Sequence, residues 1–534
     1  MFSPHYCSNK TTTMAQKYPL GIQTFEKIIT DDYIYVDKTQ HIHALAHLSD
    51  FIFLSRPRRF GKSLLLSTLD AYFSGRRELF RGLAIEQLEH KWESFPVLRI
   101  DLNNGNYSES TCELTDMLNN YLYQWESKYH LERQARELGT RFYNVLQGIF
   151  MKTGKKVVIL IDEYDKPIIG TIEREKAALQ EQHRAILKGF YGTLKKADRY
   201  IRFAMLTGVS KFSHLSVFSD LNNLVDISLS NQFNDICGIS EDELHCCLGE
   251  GVARLARSCD MSEQQAYAHL KRLYDGYRFS ARGKEMYNPW SLLNTLSREE
   301  FLMEWAQSGT PTFLVKMLHD RQIDLTKLDR HIEADVAEMG SYDAADNTIA
   351  ALYQTGYLTI KDYDPVSQLY SLGIPNQEVN KSLNFSLLPI FTKMQVPTVG
   401  TLTGQIYRAA QSGNVDALLT VVKGIIASAP MESPDERVLE LNYRNIIAIA
   451  FKLSGLDVHI EQQTCIGRID LAMETNERVY IFEFKRTTLA AAQHQIESRH
   501  YADAYAADSR QVVSVAVRLD DSIRNIADWK VLDA

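Results

Sequence analysis

The chain has 534 residues, of which 45% are hydrophobic and 24% charged, and its formal net charge is −8. This composition is typical of a globular protein of roughly three or four domains. It contains no apolar run near the ~20 residues that cross a bilayer, and its charge excludes a protein that coats nucleic acid through bulk electrostatics. Seven scattered cysteines without a Cys-x-x-Cys pair indicate a reducing, cytoplasmic environment rather than a zinc site. Residues 1–16 are polar, which predicts a disordered tail without a signal peptide.

The first strongly patterned element is an apolar run, Phe51–Leu54, which predicts a buried strand. It leads through a basic loop to Gly61, Lys62 and Ser63, after which leucines recur at helical spacing. Strand, loop, Gly-Lys-Ser and helix form the context of a phosphate-binding P-loop. Lys62 would reach the β- and γ-phosphates of ATP, and the Ser63 hydroxyl would bind Mg²⁺.

The loop departs from the usual pattern G-x-x-x-x-G-K-[ST], because Arg56 occupies the position of the first glycine. A side chain at that turn restricts the backbone angles. We expect Arg56, Arg58 and Arg59 to compensate by adding positive charge near the phosphates.

Two further strands support a nucleotide site. The continuous apolar run Val157–Ile161 predicts a buried parallel strand. At its carboxyl end Asp162 would bind Mg²⁺ through water, and Glu163 would polarise the attacking water. A later strand, Ile201–Gly208, carries Thr207 near its end, where a polar residue can sense the γ-phosphate. Together with the P-loop, these elements predict an ATPase.

The middle of the chain carries no comparable chemistry. Residues 236–330 are helical and Leu-rich, which predicts a lid that closes on nucleotide. Residues 331–400 have the order helix, hairpin, helix, which resembles a winged-helix module. The acidic balance of this module favours a spacer or a protein contact over a nucleic-acid reader. A helical pattern over 401–427 breaks at Ser428–Pro434, the expected linker to the last domain.

Two predicted strands near the C-terminus carry carboxylates within reach of each other. Asp470 stands just before the first strand, and Glu483 and Lys485 share a face of the second because alternate residues of a strand point the same way. A tight hairpin at Thr475–Glu477 can bring Asp470 and Glu483 together as an oxygen-rich site for Mg²⁺ or Mn²⁺. Lys485 can orient a water or offset negative charge on a phosphate. This is the chemistry of phosphodiester cleavage.

This stretch resembles the PD-(D/E)xK nuclease superfamily, although the usual Pro before the first acid is absent. The resemblance extends to Glu440, which is expected to open an apolar helix running to about Leu453, and to Gln495, on a helix that matches the Gln-bearing helix of the RecB-like branch. It implies that Asp470 and Glu483 bind the metal and that Lys485 is catalytic. It also implies supporting roles for Glu440 and Gln495, with the glutamine holding the lysine and the phosphate.

The combination resembles the AAA-ATPase-like proteins of bacteria that carry a C-terminal PD-(D/E)xK nuclease domain. The stretches that carry the resemblance are Tyr18–Ile22, Tyr35–Thr39, Arg56–Ser63, Asp162–Pro167, Tyr274–Phe279 and Tyr287–Trp290. It implies an α/β fold: a P-loop NTPase core with a parallel sheet flanked by helices, a helical lid, a winged-helix-like segment and a C-terminal α/β restriction-endonuclease-like domain. The expected boundaries are 17–235 for the core, 236–330 for the lid, 331–400 for the winged-helix-like module and 401–534 for the nuclease-like domain.

Three functions remain open from the sequence. The first is an ATP-controlled, Mg²⁺-dependent nuclease, with DNA expected ahead of RNA as the substrate. The second is an ATP-driven switch or scaffold whose nuclease-like domain only binds nucleic acid or protein, and the third is an ATPase that remodels protein partners. The intact Asp470, Glu483 and Lys485 favour the first, whereas the acidic balance after residue 400, with 14 Lys+Arg against 18 Asp+Glu, favours the others. The sequence indicates no membrane contact and leaves the oligomeric state open.

Overall fold

The computed structural model groups the chain into two compact units, one of Met1–Glu304 with Glu333–Asn376 and one of Trp305–Ile332 with Gln377–Ala534. The expected tail over 1–16 and most of the expected linker lie outside the described residues. The residues that the structure describes are 17–171, 174–210, 223–305, 314, 317–318, 328, 332–340, 347–392, 394, 396–429, 436–464 and 467–532.

A five-stranded parallel sheet forms the centre of the first unit, as predicted. Its strands are β1 (Phe51–Ser55), β2 (Val97–Asp101), β3 (Val157–Asp162), β4 (Ile201–Gly208) and β5 (Val225–Asp226). Their order across the sheet is β2-β3-β4-β1-β5. The carboxyl ends of β1 and β3 therefore meet at one edge, which is where open α/β sheets bind ligands.

Helices cover this sheet and bury its apolar side chains. Their bounds are α1 (Phe25–Thr30), α2 (Thr39–Leu48), α3 (Lys62–Phe73), α4 (Cys112–Lys128), α5 (Leu138–Thr153), α6 (Lys166–Ile169) and α7 (Ala177–Lys196). The core joins the strands to α4, α5 and α7, and within it the rings of Phe142 and Phe190 stack 4.4 Å apart. Every residue of β3 is buried, as a continuous apolar run predicts.

A helical region follows the sheet, within the stretch predicted as a lid. It contains α8 (Glu241–Ser258), α9 (Glu263–Tyr274) and α10 (Pro289–Arg298), with a two-stranded ladder of β6 (Ile239–Ser240) and β7 (Met286–Tyr287). Capping boxes at Ser240 with Glu243, and at Ser262 with Gln265, start α8 and α9 by satisfying their first backbone N–H groups. Closure of this region on nucleotide stays a prediction.

The segment predicted as a winged helix contains the expected hairpin. Its elements are β8 (Ile332–Ala334), α11 (Val336–Gly340), α12 (Thr348–Gln354), β9 (Thr359–Asp364) and β10 (Leu369–Gly373), with the strands in the order β8-β10-β9. The Asp364 carboxylate accepts hydrogen bonds from the backbone N–H groups of Val366 and Ser367, which closes the turn. The winged-helix assignment and the predicted boundaries stay predictions.

The second unit is built on a five-stranded mixed sheet in the order β11-β12-β13-β14-β15. Its strands are β11 (Asp457–Thr464), β12 (Gly467–Glu474), β13 (Arg478–Lys485), β14 (Gln511–Asp520) and β15 (Asn525–Leu532), and only the β13–β14 pairing is parallel. The described helices of this unit are α13 (Gln377–Thr392), α14 (Val396–Ser412), α15 (Val415–Ala427), α16 (Glu436–Leu453) and α17 (Leu489–Ser498).

The predicted hairpin joins β12 and β13, and Thr475 N–H donates to the Arg478 carbonyl over 2.8 Å at its turn. One detail differs from the expectation, because Asp470 lies inside β12 rather than just before a strand. Likewise α16 begins at Glu436, so Glu440 lies within the helix rather than opening it. Among the described helices, none is both long and apolar enough to cross a bilayer.

Candidate functional site

The P-loop takes the shape that its residue types predict. Helix α3 begins at Lys62, directly after Gly61, whose φ of 95° lies in the left-handed region. Lys62 Nζ donates to the carbonyl groups of Arg56 over 3.0 Å and Pro57 over 3.3 Å, and it lies 3.6 Å from Glu163 Oε1. The buried Lys62 ammonium provides positive charge, and the N-terminus of α3 provides backbone N–H groups. Both favour the binding of a phosphate.

The acidic side of the site is fixed by the ends of β3 and β4. Asp162 Oδ1 accepts hydrogen bonds from the Thr207 hydroxyl over 2.7 Å and from the Glu163 backbone N–H over 3.1 Å. Glu163 has a φ of 50°, an uncommon left-handed conformation for a residue other than glycine. Thr207 is fully buried behind Asp162. The structure therefore places Thr207 against the carboxylate, and not in the cavity from which it was expected to contact the γ-phosphate.

A cavity of about 430 Å³ opens at this edge of the sheet. The predicted nucleotide-site residues that line it are Arg58, Arg59, Gly61, Lys62, Ser63, Asp162 and Glu163. Pro19–Ile22, Pro289, Trp290 and Leu293 form a largely apolar wall. The Arg59 guanidinium stacks 4.1 Å from the centroid of the Trp290 ring, which joins the P-loop to this wall.

Arg56 does not line the cavity, contrary to the expectation that it adds charge at the phosphates. Its side chain is 2% exposed, and its Nη atoms donate to the carbonyl groups of Ser55 over 2.9 Å, Ser228 over 2.8 Å and Phe233 over 3.0 Å. The guanidinium also lies 4.3 Å from the centroid of the Phe279 ring. Because backbone carbonyls and an aromatic face occupy it, the guanidinium is directed into the protein.

The sequence reasoning missed polar residues that line the same cavity at the end of β2. Asp101 pairs in register with Asp162, and Asn103 Oδ1 accepts a hydrogen bond from Lys166 Nζ over 3.2 Å. Burial, followed by the charges of Asp162 and Glu163, raises the pKa of Asp101. The signal was present in the sequence, since a partly apolar strand ends in Asp101, but its place beside β3 depends on strand order.

The predicted residues of the second site converge at one end of the hairpin. Asp470 Oδ2 accepts a hydrogen bond from the Phe484 backbone N–H over 2.9 Å, so the first carboxylate is tied to the second strand. Glu483 is fully buried, and its Oε1 accepts a hydrogen bond from Lys485 Nζ over 2.7 Å. Glu483 and Lys485 thus share a face of β13, as the strand period predicts.

The two carboxylates are largely buried, and one of their oxygens lacks a donor among the described residues. Burial, followed by the negative charge of Asp470, raises the pKa of Glu483 to about 7, and burial also raises the pKa of Asp470. Glu483 Oε2 is buried, and no N–H or O–H donor in the described part of the chain reaches it. A buried carboxylate oxygen without a donor, beside a second carboxylate, is a donor set that suits a hard divalent cation.

Gln495 and Glu440 are the other two residues predicted for this site. Gln495 Nε2 donates to the Tyr501 hydroxyl over 3.0 Å, and that hydroxyl donates to the Arg468 carbonyl over 2.7 Å. Gln495 therefore supports the strand that carries Asp470 through a tyrosine rather than through the expected contact with Lys485, and its expected role at the phosphate stays a prediction. The side chain of Glu440 lies outside the described residues.

A cavity of about 320 Å³ adjoins this second site. Asp470 and Lys485 line it, together with four charged residues that the sequence reasoning missed, namely Arg444, Glu461, Arg468 and Arg486. Their sequence positions gave no motif, since they come together only through the register of β11 against β12 and the packing of α16.

Comparisons with known proteins match the two regions of the chain that contain these sites. Residues 19–218 match the family described as "Predicted AAA-ATPase", and residues 438–529 match the PD-(D/E)XK nuclease superfamily. A relative from Azotobacter chroococcum mcd 1, named "Uncharacterized protein in vnfD 5'region", is 35% identical over 530 residues, which span 97% of this chain and 99% of that protein. The chain belongs to this family of AAA-ATPase-like proteins with a C-terminal PD-(D/E)xK nuclease superfamily domain.

Proposed function

We propose that this protein binds and hydrolyses ATP in the cavity at the edge of the parallel sheet. The observation that supports this most directly is that Lys62, Ser63, Asp162 and Glu163 line one cavity next to the N-terminus of α3. Lys62 would leave its two carbonyl partners for the β- and γ-phosphates, and Glu163 would orient the attacking water. The apolar wall that contains Trp290 offers a surface for the base.

Mg²⁺ fits the same cavity, and Ser63 and Asp162 would hold it. Asp162 is 3% exposed and is positioned by the Thr207 hydroxyl, so the chain presents a fixed carboxylate to the cavity. The ion would neutralise charge on the phosphate oxygens during hydrolysis.

We further propose that the second unit carries a metal-dependent phosphodiesterase site that acts on nucleic acid. The observation that carries this proposal is the buried pair of Asp470 and Glu483, with Glu483 Oε2 lacking a described donor and Lys485 bound to Oε1. Asp470 and Glu483 would hold Mg²⁺ or Mn²⁺, which would polarise the scissile phosphate. Lys485 would stabilise the charge that develops on the phosphate oxygens.

Because both proposed sites lie in one chain, we propose that ATP controls cleavage, with DNA as the substrate ahead of RNA. The alternative is an ATP-driven switch whose second unit only binds nucleic acid or protein. A protein partner, a cytoplasmic location and the oligomeric state stay predictions or open questions from the sequence.

Cleavage of labelled single- and double-stranded DNA and RNA by the purified chain, with Mg²⁺ or Mn²⁺ and with or without ATP, tests the second site. Asp470→Ala is expected to abolish cleavage. Asp457→Ala removes an exposed carboxylate from the same sheet and is expected to leave cleavage unchanged. Equal cleavage by wild type and Asp470→Ala would refute the nuclease.

The ATP site is tested separately by equilibrium binding of a fluorescent ATP analogue to wild type and Lys62→Ala. We expect Lys62→Ala to lose binding, because it removes the buried ammonium beside the phosphates. Retained affinity would refute the P-loop interpretation. If wild type cleaves equally with and without ATP, then the proposed control of cleavage by ATP is wrong. That result alone would not contradict either of the two proposed sites.

A further inference from the structure

Glu461 lies on the strand next to the one that carries Asp470, one of the two carboxylates proposed to bind metal. In the β11–β12 ladder Ile460 pairs with Leu471 and Gln462 with Ile469, and Glu461 and Asp470 are the residues between these two pairs. In the β12–β13 ladder Leu471 pairs with Phe482, the neighbours in sequence of Asp470 and Glu483. Glu461 and Asp470 both line the cavity of the second site.

Glu461 contacts two arginines that come from different elements. Its Oε1 lies 3.2 Å from Arg444 Nη1, on α16, and 3.5 Å from Arg468 Nη2, on β12. Its side chain is only 11% exposed, and its φ is 52°. A left-handed backbone at a residue other than glycine is strained, and such residues are concentrated at functional sites. This conformation directs the carboxylate to a point where it fixes both guanidinium groups.

The charged residues that line the cavity are mostly basic, whereas the surrounding region of the chain is acidic. Residues after 400 include 14 Lys+Arg and 18 Asp+Glu, so the region as a whole is acidic. The cavity wall instead contains four basic residues, Arg444, Arg468, Lys485 and Arg486, against two acidic ones, Glu461 and Asp470. The side chains of Arg444 and Arg468 are 33% and 53% exposed, so both reach solvent while they contact Glu461.

We propose that Arg444 and Arg468, positioned by Glu461, clamp the phosphodiester backbone of nucleic acid beside Asp470 and Lys485. This inference rests on the nuclease function proposed above. The planar guanidinium group can give two parallel hydrogen bonds to one phosphate, and a carboxylate that fixes its orientation lowers the entropy lost on binding. Phosphate contacts carry no base preference, so the clamp holds strands of any sequence.

Whether Glu461→Gln strengthens or weakens oligonucleotide binding distinguishes a positioning role of Glu461 from a simple effect of its charge. Glu461 is itself negative, so if it acted only through its charge, Glu461→Gln would strengthen binding of a polyanion. Loss of the fixed arginine geometry predicts the opposite, weaker binding by the Glu461→Gln variant.

The experiment measures fluorescence anisotropy of labelled oligonucleotides of about 20 nucleotides, as single-stranded DNA, duplex DNA and single-stranded RNA, with the full chain. All variants carry Asp470→Asn, which keeps the oligonucleotide intact. We expect Arg444→Ala and Arg468→Ala each to weaken binding about tenfold and to reduce the slope of log affinity against log salt by about 1, measured from about 50 to 200 mM KCl. Arg468→Lys is expected to retain the slope and to lose part of the affinity.

Arg510→Ala is the matched control, because Arg510 is also held by two carboxylates, Glu474 and Asp508, and does not line the cavity. We expect it to bind like the parent. Thermal melting verifies folding, and Arg→Gln replaces any alanine variant that does not fold.

The outcomes separate this inference from the nuclease proposal. Arginine variants that bind like the parent, or a parent that binds no oligonucleotide, overturn the clamp even if wild type cleaves. Weaker binding by the arginine and Glu461→Gln variants supports the clamp even if wild type never cleaves, in which case only the nuclease fails. Tighter binding by Glu461→Gln overturns the positioning role.

Discussion

The Thr207 hydroxyl donates a hydrogen bond to Asp162 Oδ1 over 2.7 Å and so links the carboxyl ends of β4 and β3. Thr207→Val keeps the shape of the side chain and removes the donor, which leaves the buried carboxylate less well held. We expect ATP hydrolysis to fall about tenfold, which corresponds to about 1.4 kcal/mol of lost stabilisation, while ATP affinity changes less. Steady-state phosphate release and equilibrium nucleotide binding measure the two effects.

Thr207→Ser retains the hydroxyl and serves as the control for that experiment. It is expected to hydrolyse ATP at close to the wild-type rate. If Thr207→Val and Thr207→Ser were equally active, the hydrogen bond would not contribute to hydrolysis.

Local patterns made much of this architecture predictable. The continuous apolar run Val157–Ile161 predicted a strand, because a strand of a parallel sheet is buried on both faces. The turn at Thr475–Glu477 was predicted from a short polar break between two strands. The catalytic candidates at their ends were identified for the same reason. These elements depend on residues that are close together in the sequence.

Contacts between distant residues could not be predicted in this way. Arg56 is held by carbonyl groups 172 and 177 residues further along the chain, so the sequence around it gave no sign that its side chain points inward. The partner of Thr207 depended on β4 lying next to β3, and the position of Glu461 depended on the register of β11 against β12. Strand order and register are set by the whole fold.

Arg56 and Arg58 are expected to separate stability from nucleotide binding. Arg56→Lys keeps the positive charge but loses the fork that contacts three carbonyl groups, which should destabilise the first unit by about 2 kcal/mol and lower its melting temperature. Arg58→Ala changes a residue of the cavity wall, so it should weaken ATP binding with little effect on melting. If Arg56→Lys melted like wild type and Arg58→Ala melted at a lower temperature, the prediction would be contradicted.

Gly61 and Gly82 provide a matched pair for the P-loop. Both have positive φ, 95° and 78°, and a Cβ added at either would meet nothing within 4 Å. Gly61→Ala and Gly82→Ala should therefore carry a similar backbone cost of about 1 kcal/mol, visible as similar decreases in melting temperature. Only Gly61→Ala should reduce ATP affinity, because Gly61 lies at the cavity and Gly82 does not line it. Equal ATP affinity of the two variants would contradict a phosphate-binding role for this turn.

Asp165 should make the stability of the first unit depend on pH. Its Oδ2 accepts hydrogen bonds from the backbone N–H groups of Val209 and Ser210, and burial, followed by the charge of Glu163, raises its pKa to about 6 from 3.8. The folded state therefore holds this proton more tightly than the unfolded state, so stability falls as pH rises from about 4 to 6 and stays lower above that range. Asp165→Asn retains an acceptor oxygen and cannot ionise. Its melting temperature relative to wild type should therefore be higher at about pH 7 than at about pH 4.5, and a pH-independent difference would contradict the raised pKa of Asp165.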